Sequence, residues 1–223
     1  MISFVIPTLN EGARIKRMLQ TLAQDYPGAE RIVVDGGSSD GTVAEVLASG
    51  AVLLRSDSGR ARQMNLGADA ASGDYIFFVH ADTCPPTNPQ SLTGVLDNAP
   101  QWGFFRIRLS GDGVALRVIE GCINLRSRLT RVATGDQMLF VRADLFARLG
   151  GFAPIPLMED VELSKRLRRT ASPAIIVDPV ETSSRRWRER GIMRTVLQMW
   201  ALRLAYFCGV HPDRLWRRYY GER

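Results

Sequence analysis

The sequence predicts an α/β fold: a mostly parallel central sheet flanked by helices, with a C-terminal helical extension. Three observations carry this. Short apolar runs alternate with stretches of helical spacing, the rhythm of strand–helix–strand crossovers. The run YIFFV (residues 75–79) is apolar without alternation, as a strand buried on both faces should be. The chain has 223 residues and is 45% hydrophobic, enough for a sizeable core. There is no internal repeat, low-complexity tract or clear linker. One domain over residues 1–180 is expected, with a basic, apolar extension packed on it over residues 181–223.

The elements follow in order. Ile2 to Ile6 reads as the first strand, stopped by Pro7 because proline cannot donate to the ladder. Glu11 to Gln24 carries Ile15, Met18, Leu19 and Leu22 at helical spacing. Arg31 to Val34 is a second strand, running into Asp35 and the glycine-rich GGSSDGT. Thr42 to Ser49 reads as a helix, Val52 to Arg55 as a strand, Arg60 to Ala71 as a helix, and Tyr75 to Val79 as a strand. After Pro85 the pattern loosens. Trp102 to Leu109 alternates as a strand, Val114 to Arg131 is helical, and Gln137 to Arg142 is a strand. Ala143 to Leu149 is a short helix ended by Gly150 and Gly151. Asp160 to Arg169 is a helix, Ala174 to Val177 a strand, and Ile192 to Cys208 a helix apolar on nearly all sides, which fits packing on several sides or lying in a membrane interface.

Charge is unevenly placed. The net charge is +6, yet residues 181–223 hold 10 arginines against 4 acidic residues, and the rest balances. Such a tail suits a solvated surface, nucleic acid, anionic lipid or a phosphorylated substrate. Cys84, Cys122 and Cys208 are far apart and form no CxxC pair, which suits a reduced, cytoplasmic compartment. MISFVIPT reads as a first strand, not a signal peptide. No stretch reaches the roughly 18 apolar residues of a membrane span.

Polar groups fall just after the predicted strand ends: Asn10 and Glu11 after the first, Asp35 and Asp40 after the second, His80 and Asp82 after the fourth. In open α/β sheets that edge binds ligands. Any single one could be a cap, Asp40 for the helix near Thr42 above all; three together point to one crevice. GGSSDGT lacks the GK[ST] of a P-loop and is not G-x-G-x-x-G. Phosphates would therefore need a cation held by a carboxylate, and Asp82 is best placed. Arg60 and Arg62 could add charge, or simply face solvent.

PTLNE, Asp35 followed by SSDGT, GRARQMNLGADAASGDY and the strand ending HAD together resemble glycosyltransferase family 2. The likeness continues through TGDQMLFVR and GGF to MEDVELSKRLRR, over roughly residues 2–170. More narrowly, VVDGGSSDGT, GRARQMN, ATGDQ and PLMEDVELS resemble the small bacterial arsenosugar-biosynthesis branch. The resemblance implies a GT-A fold and a metal-dependent, inverting transfer of sugar from a nucleoside diphosphate, usually UDP, to an unknown acceptor hydroxyl. It implies a nucleotide pocket lined by Pro7, Thr8, Asn10 and Glu11, with Asp35 on the base and Asp40 beside it. Asp82 matches the last carboxylate of D-x-D, which binds Mn²⁺ or Mg²⁺ on the donor diphosphate. Asp160 matches the catalytic base, and Glu159 would orient it or the acceptor. Gly135 and Asp136, with Arg186 and Trp187, fall on the acceptor side.

The chain departs from the pattern twice. His80 stands where the first D-x-D aspartate usually stands, where it could hydrogen-bond the ribose, ligate metal or merely cap the strand. SSRRW (residues 183–187) has serine where processive relatives carry glutamine. Three other readings compete: a degenerate nucleotide-sugar-binding module; a nucleotidyltransferase, which would want a glycine run after the first strand; and a nucleic-acid binder using the tail, which lacks a base-stacking module. The favoured reading has no nucleic-acid partner. It allows peripheral contact with the inner membrane face, or a homodimer, through residues 191–220.

Overall fold

The first strand does not stop at its proline. β1 runs Ile2–Thr8, pairing in parallel with β2 (Glu30–Asp35) as far as Thr8 opposite Asp35. The reason lies in the parity of the ladder. Val5 accepts from the Val79 amide on the side of β4 (Tyr75–Phe78), so Pro7, two residues on, also faces that side. Pairing with β4 has already ended opposite Val5, and no ladder bond is asked of the missing N–H. This computed structural model describes residues 1–86 and 88–221.

The remaining elements are α1 (Gly12–Asp25), α2 (Thr42–Ala48), β3 (Val52–Arg55), α3 (Arg60–Ala70), β5 (Thr83–Cys84), α4 (Pro89–Leu96), β6 (Trp102–Leu109), α5 (Val114–Thr130), β7 (Phe140–Arg142), α6 (Ala143–Arg148), α7 (Glu159–Thr170), β8 (Ala174–Thr182), α8 (Arg185–Arg190), α9 (Ile192–Phe207) and α10 (Pro212–Tyr220). The strand order is β3-β2-β1-β4-β7-β6-β8-β5. β3, β2, β1 and β4 are parallel, β7 and β5 run against their neighbours, and β6 pairs with β8 in parallel. The chain moves outward from β1 to β2 and β3, then returns to β1's other edge as β4. That reversal opens a crevice at the carboxyl ends of β1, β2 and β4.

Successive side chains of β1 enter opposite faces. Phe4 and Ile6 join Ile15, Leu19 and Leu22 of α1, Val46 of α2, and Leu116 and Ile119 of α5. Val5 joins Met64 and Ala68 of α3, Phe146 of α6, and Leu163 and Leu167 of α7. α3 lies very close to the sheet: a Cβ on Gly67 would overlap Val5 and stand 3.0 Å from Val34 Cγ2. A third cluster joins Val132, Met158 and Val161 to Leu202 of α9 and to Leu215 and Tyr219 of α10. The C-terminal helices are thus packed onto the start of α7.

Two other expected boundaries shift. The strand expected from Gln137 starts at Phe140. Before it, Gly135–Gln137 form a 3₁₀ turn with Thr134 and Gln137 in a reciprocal capping box, and Met138 at φ 43° breaks the extended run. The strand expected to end at Val177 continues to Thr182, because Pro179 falls in an irregularity between Phe105 opposite Ile176 and Ile107 opposite Val180. Proline is tolerated in such a bulge.

Candidate active site

The first wall of the crevice is built from the loops after β1 and β2. Asp35 ends β2 buried at 2% exposure. Its Oδ2 accepts the amides of Gly37 (3.1 Å) and Ser38 (3.0 Å), fixing the turn, while its buried Oδ1 has no hydrogen-bond partner among the described residues. Asn10, at φ 56°, donates its amide to Ser38 Oγ (2.8 Å), and its Oδ1 accepts from Ser39 (2.9 Å), so the two loops are laced together. Asp40 accepts the Gly12 amide (3.1 Å) at the start of α1 and the Thr42 amide (2.9 Å) at the start of α2. The Thr42 hydroxyl and amide hold its carboxyl below the usual range. Glu11 donates its amide to Thr42 Oγ1 (2.9 Å) and pairs its carboxylate with Arg14. Pro7 and Thr8 form the strand end beneath these loops. Buried Gln63, from α3, ties that edge by donating to the carbonyls of Thr8 (2.9 Å) and Val34 (2.8 Å).

The second wall comes from β4, the 3₁₀ turn and α7. Met158, at φ 70°, turns the chain so that Glu159 and Asp160 open α7. Asp160 Oδ2 accepts the Gly135 amide and Oδ1 its neighbour Val161's, each at 2.7 Å. His80 lies against Gly135 so closely that a Cβ there would overlap the imidazole. Gly135 is therefore required for His80, the turn and Asp160 to meet.

Glu159 is 4% exposed. Burial first, and Asp160 second, push its carboxyl up to about 7, against the pull of Arg60. Asp160 is also raised, by burial, against the amides of Gly135 and Val161 and the charge of Arg60. Two carboxyls this close titrate as a pair. Arg60 has an open flank, but its guanidinium stands among charges. Desolvation works against it, yet Tyr220, Glu159, Asp160 and Asp82 hold it above the usual arginine value. Asp82 is exposed at the mouth, and its carbonyl accepts from the Ser183 amide (3.1 Å).

Asp82, Arg60, Glu159, Asp160, His80 and Gly135 thus converge. Asp136 acts on Asp160 from the same turn. Arg62 instead pairs with Asp57 at 2.7 Å on the surface. Trp187 packs against the core cluster on the Phe4 face of the sheet. The side chain of Arg186 lies outside what is described. Sequence reasoning did not single out Gln63, Arg126 or Tyr220. Gln63 sat inside the quoted GRARQMN. Arg126 acts near Asp136 and Asp160 while burial pulls its charge down. Tyr220 reaches Arg60 from a helix 160 positions away, which no local pattern signals.

No three His, Cys, Asp or Glu side chains gather into a metal site among the described residues. A single exposed carboxylate, Asp82, fits a cation held mainly by substrate oxygens and water, as Mg²⁺ commonly is.

This architecture is the GT-A fold of nucleotide-sugar transferases. It superposes on Staphylococcus aureus TarS 1-349 in complex with UDP with a TM-score of 0.67 at 17% identity, covering 82% of this chain and 60% of that one. With glucosyl-3-phosphoglycerate synthase from Mycobacterium tuberculosis, in complex with Mn²⁺, UDP and glucosyl-3-phosphoglycerate, the TM-score is 0.62 at 24% identity over 94% and 80%. Residues 3–100 match the family model described as glycosyl transferase family 2, and the chain belongs to that family. It is 32% identical to an uncharacterized glycosyltransferase of M. tuberculosis, over 68% of this chain and 62% of the relative. It is 24% identical to another of Haemophilus influenzae, over 77% and 63%. The chain spans a little over three fifths of the length of these relatives.

Proposed function

We propose that this chain moves a sugar from a nucleoside-diphosphate donor, a UDP-sugar in the first instance, to an acceptor hydroxyl with inversion, using a divalent metal. The observation that carries the reading is the Glu159–Asp160 pair, both carboxyls raised by burial above their ordinary values and set in one crevice with Arg60 and Asp82. A base for a weakly acidic hydroxyl works best when its own value lies near the operating pH. A leaving diphosphate needs fixed positive charge close by.

Asp35 would receive an N–H of the base on its unpartnered Oδ1, as the imide of uracil could supply. The Asn10–Ser38–Ser39 loop would frame the nucleoside, over the strand end at Pro7 and Thr8. Asp82, with His80 beside it, would hold Mn²⁺ or Mg²⁺, which when bound neutralises the developing diphosphate charge. Arg60 would bring a second positive charge to the same oxygens and orient the diphosphate away from the acidic pair. Asp160, held by two amides, would take the acceptor proton as the new bond forms opposite the leaving group. Glu159, behind it, would keep the pair's proton affinity high. Gly135, Asp136 and the α8 segment would border the acceptor. Two structural neighbours hold Mn²⁺ with UDP or GDP-Man, which supports a metal-bridged donor here.

Calorimetry with UDP, GDP and UDP-sugars, with and without Mn²⁺, tests this. UDP should bind in the presence of Mn²⁺ and lose at least about tenfold in affinity in Asp82→Ala. Absence of any nucleotide binding to folded protein would sink the reading. If nucleotide binds, Asp160→Asn should keep binding and lose turnover by about 10²–10⁴-fold. UDP-sugar binding with no turnover by wild type on any hydroxyl acceptor would favour a non-catalytic nucleotide-sugar module.

A further inference from the structure

The helix α9 leaves large apolar side chains in solvent. Met193, Leu197, Trp200, Leu204 and Phe207 are 62–71% exposed and follow one another at spacings of four, three, four and three, so they form one stripe along its length. α5 does the same with Val114, Val118, Leu125 and Leu129, 56–82% exposed. Ile192 and Val196 of α9 pack on the same core cluster that holds Leu116 and Ile119 of α5, and Leu202 packs with Val132, just beyond the end of α5. Single exposed apolar residues are ordinary, but a continuous stripe of five on one helix marks an interaction surface.

The charge around this surface selects its partner. A groove of ≈ 330 Å³ between α9 and α10 sets Arg194 and Arg218 around Leu197, Ala201 and Leu202. Arg214 and Arg217 lie exposed on α10, and no ion pair engages these four arginines among the described residues. An apolar stripe with a central tryptophan, bordered by unpaired arginines, complements a lipid surface with anionic headgroups. Nucleic acid would satisfy the arginines and leave the leucines wet. The helix has 16 residues, about 24 Å at 1.5 Å each, and no helix among the described residues is long and apolar enough to cross a membrane. It would lie in the interface.

We propose that the stripe of α9 docks this protein on an anionic membrane surface, with the arginines of α9 and α10 in the headgroup layer. Resting on the transferase reading above, the acceptor hydroxyl is then that of an amphiphile held in the membrane. The same helices reach the acidic pair. Leu202, Leu215 and Tyr219 pack on Met158 and Val161, and Tyr206 of α9 lies within electrostatic reach of Asp160.

The test is flotation of the full chain with phosphatidylcholine vesicles, alone or with about 30 mol% phosphatidylglycerol, at low and high salt. Binding to the anionic vesicles, weakened by salt, is expected. Arg194→Gln with Arg218→Gln should weaken it on the order of 25-fold, about fivefold per arginine. A triple variant, Leu197→Ser, Trp200→Ser and Leu204→Ser, should abolish it while the thermal melt stays unchanged, since all three side chains are exposed. Failure of wild type to float with anionic vesicles overturns the proposal. If size exclusion then shows a dimer that the triple variant splits, a second copy covers the stripe. UDP binding, read on the same samples without lipid, separates the claims: its loss with flotation intact sinks the donor reading and leaves the docking surface standing.

Discussion

At the scale of single residues, the acidic pair makes the sharpest demands. Glu159 is held near 7 in the fold, against an ordinary value of 4.5, so the folded state grips its proton more tightly than the unfolded chain does. The stability this gives is full below about pH 4.5 and lost as pH rises through about 7. Glu159→Gln carries no such loss. Its melting temperature should match or trail the wild type at pH 5 and exceed it at pH 8, by on the order of 1–3 kcal/mol in stability. The same variant removes the like charge beside Asp160. On the proposed reading the rate needs a deprotonated base and is expected to rise with pH in the wild type, and this acidic limb should move to lower pH in the variant. A limb that stays in place would show that the two carboxyls do not titrate together. Asp35 and Asp82 were singled out from strand ends and Asp160 from the resemblance of its motif, and the structure sets Asp82 and Asp160 around Arg60. The burial of Glu159 was not legible, because a carboxylate opening a helix normally sits in water. Its neighbours Met158 and Val161 pack under α9 and α10, which lie far along the chain.

At the scale of elements, strands with clean edges were readable to the residue. Val52–Arg55 and Trp102–Leu109 begin and end where the sequence reading places them. One misreading came from taking proline at its average meaning. Pro7 faces an unpaired edge and Pro179 a bulge, so neither ends its strand. The two-residue β5 was missed because so short a strand has no periodicity. α4 was missed despite Asn88, whose side chain accepts the Gln90 amide at its start. Gly67 argues the same point from the helix side. Alanine would improve the helix propensity of α3 by about 1 kcal/mol. It would also press a methyl group into Val5 and Val34, and overpacking of this kind costs roughly 1–3 kcal/mol. The clash should win. Gly67→Ala is expected to lower the urea midpoint with an unchanged m-value, and a rise in the midpoint would mean that α3 lifts off the sheet freely. Gln63, one turn earlier on the same helix, would then lose its hold on Thr8 and Val34, so the nucleotide side of the crevice depends on this close approach.

At the scale of the whole molecule, the C-terminal helices pack against the residues that flank the acidic pair, although no motif in residues 191–223 announces it. Their contribution runs through the third cluster. Tyr219 is 7% exposed and packs with Val132, Met158 and Val161, the residues that flank the acidic pair and lead into the Gly135 turn. Next to it, Tyr220 makes an edge contact with the Tyr219 ring at 4.8 Å and acts on Arg60. Removing the ring in Tyr219→Ala should cost about 2–4 kcal/mol, as for other large core side chains. A purely structural loss would stop there. Because desolvation is the largest cause of Glu159's raised value, water admitted beside Met158 should also draw that value back toward 4.5. The variant is therefore expected to show an acidic limb shifted to lower pH, measured well below its melting temperature, alongside a reduced rate at its plateau. Tyr219→Phe keeps the ring and should restore most of the stability. A Tyr219→Ala protein that is less stable but keeps the wild-type pH profile would show that α10 braces the fold without tuning the site. If the profile moves, docking of α9 and α10 on a membrane acts on the helices that set the proton affinity of the acidic pair, and binding to a surface becomes coupled to the state of the base.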